Sequence, residues 1–221
     1  MREGESPGGK RRQKSPPAKR VRLAPEVRRE QILDAALIEF SAVGFEGATM
    51  DRLARRVGIT KAGIYAHFKS KDDIFEALLL SNIFRRTAQP HWQWREGASL
   101  EETVDDYLEH VYLHLQVPQV QATFRLLISE SGRAPERIRR WHDDIFTPYA
   151  AQRQSEITES VNRGQLPDNL FTRKFSLLSS PALLALIGQL LGQGATAGED
   201  LAEVRQAHRE MLLILLARKG A

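Results

Sequence analysis

Residues 49–71 read TMDRLARRVGITKAGIYAHFKSK, and this stretch decides the fold. Met50, Leu53, Ala54 and Val57 recur at the 3-4-3 spacing of a short amphipathic helix. Thr49 stands where an N-cap belongs, and Asp51 places negative charge at the positive end of the helix dipole. Gly58 supplies a residue that tolerates positive φ, as a tight turn between helices demands, and Ile59 fills the angle between them. Thr60 caps a second helix predicted to run to about Phe68. Ser70 caps a third, with Asp73 at its capping-box position. Three caps and one glycine turn at this density specify a helix-turn-helix.

The second helix of the pair has the chemistry of a major-groove reader. Its first turn is Lys61-Ala62-Gly63. Small side chains let the backbone approach the groove floor, and a lysine there reaches guanine acceptors or a phosphate. Tyr65 and His67 bring polar tips suited to phosphate oxygens, while Ile64 and Phe68 are placed to face inward. Phosphate contacts then set the register, and the first turn reads base edges.

From about Arg28 to Leu79 the chain resembles the N-terminal DNA-binding domain of the TetR family of bacterial transcriptional regulators. The residues that carry the likeness are Ile32-Leu33-Asp34-Ala35-Ala36, Phe40, Gly44-Phe45, Thr49-Met50, Ala54, Val57-Gly58-Ile59, Ile64-Tyr65, His67-Phe68 and Ser70-Lys71. The resemblance implies that the third helix enters the major groove and that the start of the second helix and the Tyr-x-His-Phe segment clamp phosphates. It also implies that the lysine opening the fourth helix meets the DNA backbone. Carried over position by position, it designates Thr49, Thr60, Lys61, Ala62, Gly63, Tyr65, His67 and Lys71 as DNA-binding residues. Lys69 departs from the family, which often has proline there, and adds a cation beside the backbone.

The 221 residues suffice for this domain and one larger one, and the class expected is all-α. The absence of cysteine excludes disulfides, thiolate metal sites and thiol redox sensing within the chain. No apolar run reaches the length of a membrane span, and no hydrophobic secretion signal opens the sequence, so a cytoplasmic protein is expected. Residues 1–22 hold eight Lys/Arg against two Glu, so the net charge of +4 leaves −2 for the remainder. Rich in Pro, Gly and Ser, this segment reads as a disordered basic tail. It is expected either to raise DNA affinity unselectively at low salt or to track phosphates or a minor groove as a flexible arm. The domains expected are thus a tail over 1–22, a helix-turn-helix domain over 23–80, and a ligand-binding and dimerisation domain over 81–221.

Beyond Leu79 the sequence is a series of helical patterns. The helix from Lys71 is predicted to continue to about Thr87 and link the domains. Further runs start at Ser99, Pro118 and Pro135, with Pro148 kinking or restarting the last of these. Gly164-Gln165-Leu166-Pro167 is a break. Two strongly apolar segments close the chain, about 171–191 and 201–216, with Ser180-Pro181 dividing the first. Leu201, Val204, His208, Met211 and Leu215 form a seam suited to helix–helix contact, and Ala182, Ala185, Gly188 and Gly192 form a small-residue face. The family resemblance implies that these helices pair with their copies, giving a homodimer through about 170–218.

No nucleophile elbow, phosphate-binding glycine loop or paired-carboxylate pattern is found, so neither an enzyme nor a cofactor is expected. Aromatic residues concentrate between Trp92 and Tyr149, and an apolar cavity there suits an organic effector. The candidate ligand-binding residues are Tyr107, His114, Phe124, Trp141 and Phe146. The expected function is a dimeric, sequence-specific repressor released from its operator by a small organic ligand. Two alternatives stand beside it. His110 and His114, at i,i+4, could make a metal-responsive regulator, or the chain could be a non-regulatory DNA-binding protein.

Overall fold

The computed structural model describes residues 24–85, 92, 94, 95, 97–192 and 200–217, and every described element is helical. The basic tail, Pro90 and Thr87 lie outside the described residues. Helix α1 spans Pro25–Gly47, α2 Met50–Val57, α3 Lys61–Tyr65 and α4 Lys71–Leu80, the last continued by a π-helical turn over Ser81–Arg85. Then follow α5 (Leu100–Leu115), α6 (Pro118–Arg133) and α7 (Pro135–Trp141). A second π-helical turn, His142–Phe146, leads into α8 (Thr147–Asn162). The chain ends with α9 (Leu170–Arg173), a 3-10 turn over Phe175–Ser179, α10 (Ser180–Leu191) and α11 (Asp200–Leu216).

Local sequence explains most of these boundaries. Ser99 opens α5 through a complete capping box with Glu102. Pro118 and Pro135 sit in the first turns of α6 and α7, where a missing N–H removes no helical bond, and Pro148 and Pro181 sit in the first turns of α8 and α10, each directly after another helical turn. Pro148 restarts the helix as its position predicts, and the backbone before it widens into the π-helical turn. The segment expected over 171–191 is three pieces, divided at Lys174 and at Ser179–Ser180. Gly164, at φ 70°, makes the break after α8.

Two apolar cores result. The first joins α1–α4, through Ile32, Phe40, Leu53, Ile64, Phe75 and Leu78, and extends without interruption to Phe84, Leu126 and Trp141. The boundary expected between residues 80 and 81 therefore passes through one continuous cluster, because α6 and α7 pack directly on the N-terminal helices. The second core gathers Val104, Tyr107, Leu108, Tyr112, Ile157, Leu178 and Leu212 from α5, α8, the 3-10 turn and α11.

The terminal helices are not covered all round. Leu212 and Leu216 are buried, but Ile214 is 76% exposed. On α10, Ala182 and Leu186 turn inward while Leu184 and Leu191 stand 70% and 80% exposed, with Gly188 facing open space between them. His208, read as part of an apolar seam, is buried inside its own chain. Its Nε2 lies 2.7 Å from the Leu178 carbonyl, and its Nδ1 lies 3.2 Å from the Tyr112 hydroxyl. The carbonyl only accepts, so Nε2 carries the proton and Nδ1 accepts from tyrosine. Burial pushes the His208 pKa down and the Tyr112 phenol up to about 12.

Candidate nucleic-acid interface

The interface is built from the caps outward. Thr49 Oγ1 accepts the Arg52 N–H at 3.2 Å, and Thr60 Oγ1 accepts the Gly63 N–H at 3.1 Å, fixing the first turns of α2 and α3. Between them Gly58 adopts φ 74°, ψ 33°, the left-handed conformation that its position predicts. At the start of α4 the Asp73 N–H donates to Ser70 Oγ at 2.9 Å. The Asp73 carboxylate reaches back to the Lys69 N–H at 3.0 Å, one residue earlier than a capping box would place it.

Helix α3 is shorter than predicted. It ends at Tyr65 because the Ile64 carbonyl accepts both the His67 N–H at 2.8 Å and the Phe68 N–H at 3.0 Å, which tightens the last turn. Ile64 and Phe68 are buried and anchor the element. Lys61, Ala62 and Tyr65 are exposed, as are Thr49 and Thr60, and Gly63 and His67 are half-buried. Lys61 Nζ lies 3.2 Å from Asp51 Oδ2, an exposed pair that aligns the lysine with the start of α2. A Cβ on Gly63 would meet Thr60 Oγ1 at 3.4 Å and Ile59 Cβ at 3.5 Å, both ordinary contact distances.

Lys71 carries a structural task that its motif does not announce. Its ammonium donates to the Phe45 carbonyl at 2.7 Å and the Ala48 carbonyl at 3.0 Å, and it lies 4.2 Å from the Phe45 ring centroid. It thereby neutralises the negative end of α1. Arg29, outside the motif, donates to the His67 carbonyl at 2.6 Å and covers the Phe68 ring at 4.0 Å, tying the segment after α3 to α1. Glu39 is buried on α1 and takes both Arg52 and Arg56 from α2, the Arg56 Nη2 contact being 2.8 Å. The Arg52 hydrogen bond, helped by Arg56, holds the Glu39 pKa below the usual range despite burial. A carboxylate seven residues after Ile32, on the apolar face of α1, was the sequence signal for that pair.

The five candidate effector residues do not meet in one place. Tyr107 is buried in the second core, its hydroxyl 2.9 Å from Ser179 Oγ and its ring against Trp92 and Phe175. Burial pushes its pKa up to about 12. Trp141 and Phe146 belong instead to an aromatic group around Phe84, with centroid separations of 6.2 Å to each. His114 and Phe124 are half-buried on α5 and α6. The separation arises because α7 packs on the N-terminal core whereas α5 packs on α11. His110 and His114 are likewise half-buried on α5. Among the described residues no group of three or more His, Cys, Asp or Glu comes together to hold a metal ion, so the metal-responsive alternative lacks a ligand set.

Residues 32–78 match the family model described as bacterial regulatory proteins, tetR family. The chain is 27% identical over 191 residues to the HTH-type transcriptional regulator SrpR of Pseudomonas putida, covering 85% of this chain and 84% of that protein. It is 44% identical over 48 residues to IcaR of Staphylococcus aureus, the negative transcriptional regulator of the biofilm operon icaADBC. That match covers 22% of this chain and 26% of IcaR. Among solved structures, a TetR family transcriptional regulator from Pseudomonas syringae superposes with a TM-score of 0.66 at 24% identity, over 88% of this chain and 98% of that one. Salmonella enterica GusR superposes with a TM-score of 0.64 at 19% identity, over 88% and 97%. Both structural likenesses concern the fold. Among the described residues no helix is long and apolar enough to cross a membrane.

Proposed function

Because this chain belongs to the tetR family of bacterial regulatory proteins, and is a helix-turn-helix transcriptional regulator rather than an enzyme, we propose that it is a dimeric cytoplasmic repressor released from its operator by a small organic effector. The observation that carries this reading is the pairing of an exposed reading turn, Lys61-Ala62-Gly63, with an uncovered apolar face on α10 and α11. Two reading turns joined by that face address two half-sites about one helical turn apart, or a multiple of it. Thr49, Thr60, Tyr65 and His67 contact phosphates, and Lys61 reads base edges. Lys71 serves the backbone contact indirectly, by holding the end of α1.

The name of one relative supports the direction of control, since IcaR is a negative transcriptional regulator. Effector control requires a ligand that binds the DNA-incompetent state more tightly, because equal affinity for both states shifts nothing. Among the described residues, the aromatic groups around Tyr107 and around Trp141 offer such a ligand apolar side chains with few polar handles.

The test is binding to the DNA just upstream of the chain's own coding region, at near-physiological salt and with random duplex as competitor. Selective binding by two protomers to a roughly palindromic site is expected. Binding that random duplex removes would favour a non-regulatory DNA-binding protein. On the selected site, Lys61→Ala is expected to lose affinity and base preference together, whereas Tyr65→Ala weakens every sequence alike; equal selectivity in Lys61→Ala and wild type would overturn the readout role.

A further inference from the structure

Arg137, on α7, is the point where the body of the protein grips the reading head. Its side chain is only 12% exposed and addresses three carboxylates from three helices. Nη2 meets Glu46 of α1 at 2.7 Å, Nε meets Asp72 of α4 at 3.3 Å, and Nη1 meets Glu130 of α6 at 3.5 Å. The guanidinium also lies 3.5 Å from the centroid of the Phe45 ring. Glu130 is buried, and its other oxygen accepts the Phe45 backbone N–H at 3.3 Å.

The turn that makes this possible is Gly44. At φ 73°, ψ 169° it breaks the helical path of α1 and frees the Phe45 N–H for Glu130. A Cβ at that position would also stand 3.1 Å from Arg133 Nη1. A buried carboxylate and a nearly buried guanidinium are tolerated only when both are paired, so the arrangement is stable as a unit and sensitive to the loss of either partner. None of its partners belongs to Lys61-Ala62-Gly63. Its targets are the end of α1 and the beginning of α4, the two helices that flank the helix-turn-helix of α2 and α3.

We infer that Arg137, seated on Glu130, is a positioning residue for operator binding: it sets the angle of the reading head on the body, and with it the separation of two heads in a dimer. The inference rests on the operator-binding reading above. A lysine keeps the charge of Arg137 but cannot present the planar fork that serves three carboxylates at once. A shift of the effector-binding body that strains these contacts would change head spacing without touching any DNA-contacting side chain.

The test uses the full chain, whose lack of cysteine allows clean labelling. Dyes are placed at Arg55→Cys on α2 and Thr158→Cys on α8, both exposed, with labelled protomers diluted into unlabelled chain. Arg137→Ala and Glu130→Gln are expected to broaden the head-to-body distance distribution, with Arg137→Lys intermediate. On DNA, Arg137→Ala is expected to lose about tenfold in affinity for the selected two-half-site duplex. Binding to a duplex carrying one half-site should change by less than about twofold, since the reading surface is intact. An unchanged distance distribution overturns the inference, and so does an equal loss on both duplexes, which would mean general damage to the head. If wild type itself shows no preference for any site, the operator reading fails, and the distance distribution still decides the role of Arg137.

Discussion

The reading head and the helical body differ in how their polar groups are used. In the head, charge serves geometry: Glu39 aligns two arginines of α2, Lys71 closes α1, and Arg29 holds the segment after α3. In the body, away from the Arg137–Glu130 pair at the junction with the head, buried contacts such as the chain from Tyr112 to His208 to the Leu178 carbonyl, or that between Tyr107 and Ser179, are neutral. The head is a small unit that must present one surface rigidly, and directional charged bonds define its angles. The body leaves a row of apolar side chains uncovered on α10 and α11, where non-directional burial suits a partner surface.

The largest test of this contrast is charge placed on the uncovered face. Ile214→Glu or Leu184→Glu is expected to leave the fold intact and give monomers in sedimentation. Operator affinity should then fall by on the order of 10² to 10⁴ through lost avidity. Retention of the dimer would mean that the face has another use. Within the head, Phe75→Ala removes a fully buried ring packed edge-on against Phe40 and Phe45. It should destabilise the chain by about 3–5 kcal/mol in urea unfolding.

Acid separates the two regions by mechanism. His208 has a folded pKa below its ordinary 6.5, so below that pH the unfolded chain binds a proton that the folded chain refuses. Stability supplied by the body is therefore whole above 6.5 and declines as the pH falls toward the folded value. Glu39, held below its ordinary 4.5, supplies stability that is whole above 4.5 and is lost only under stronger acid. Melting curves between pH 7 and 5 should show the midpoint falling in wild type and flattening in His208→Gln. A slope unchanged by that substitution would remove His208 as the cause. The smallest effect is expected at the caps. Thr49→Ala gives up one hydrogen bond to the Arg52 N–H and should lower stability by about 1 kcal/mol, read from the same denaturation curves.

The same contrast explains what was legible in the sequence. Caps, the glycine turn and proline positions act on neighbours within four residues, so Thr49, Gly58, Thr60, Ser70 and Pro148 announced their roles directly. The exposure of Lys61 and Ala62 at the start of α3 was equally plain, because small and basic residues at a helix start have few packing uses. Arg137 was not legible: its partners Glu46, Asp72 and Glu130 come from three other helices, and no spacing rule links them. The grouping of Tyr107 apart from Trp141 was hidden for the same reason, since both lie on apolar helical stripes and only the packing of α7 against the head tells them apart. The seam through His208 was correctly placed on one face of α11, but periodicity alone does not say whether a face meets its own chain or a copy.

The buried Glu39 has one more consequence, for the ions around the complex. Helix α2 shows three arginines at Arg52, Arg55 and Arg56, and a count of cations would assign all three to the DNA polyanion. Two of them already share a carboxylate, so docking them near phosphates releases fewer condensed counterions than their number suggests. For the docking proposed above, the affinity of the head is expected to survive rising salt better than its arginine content implies, which a salt titration of operator binding would check.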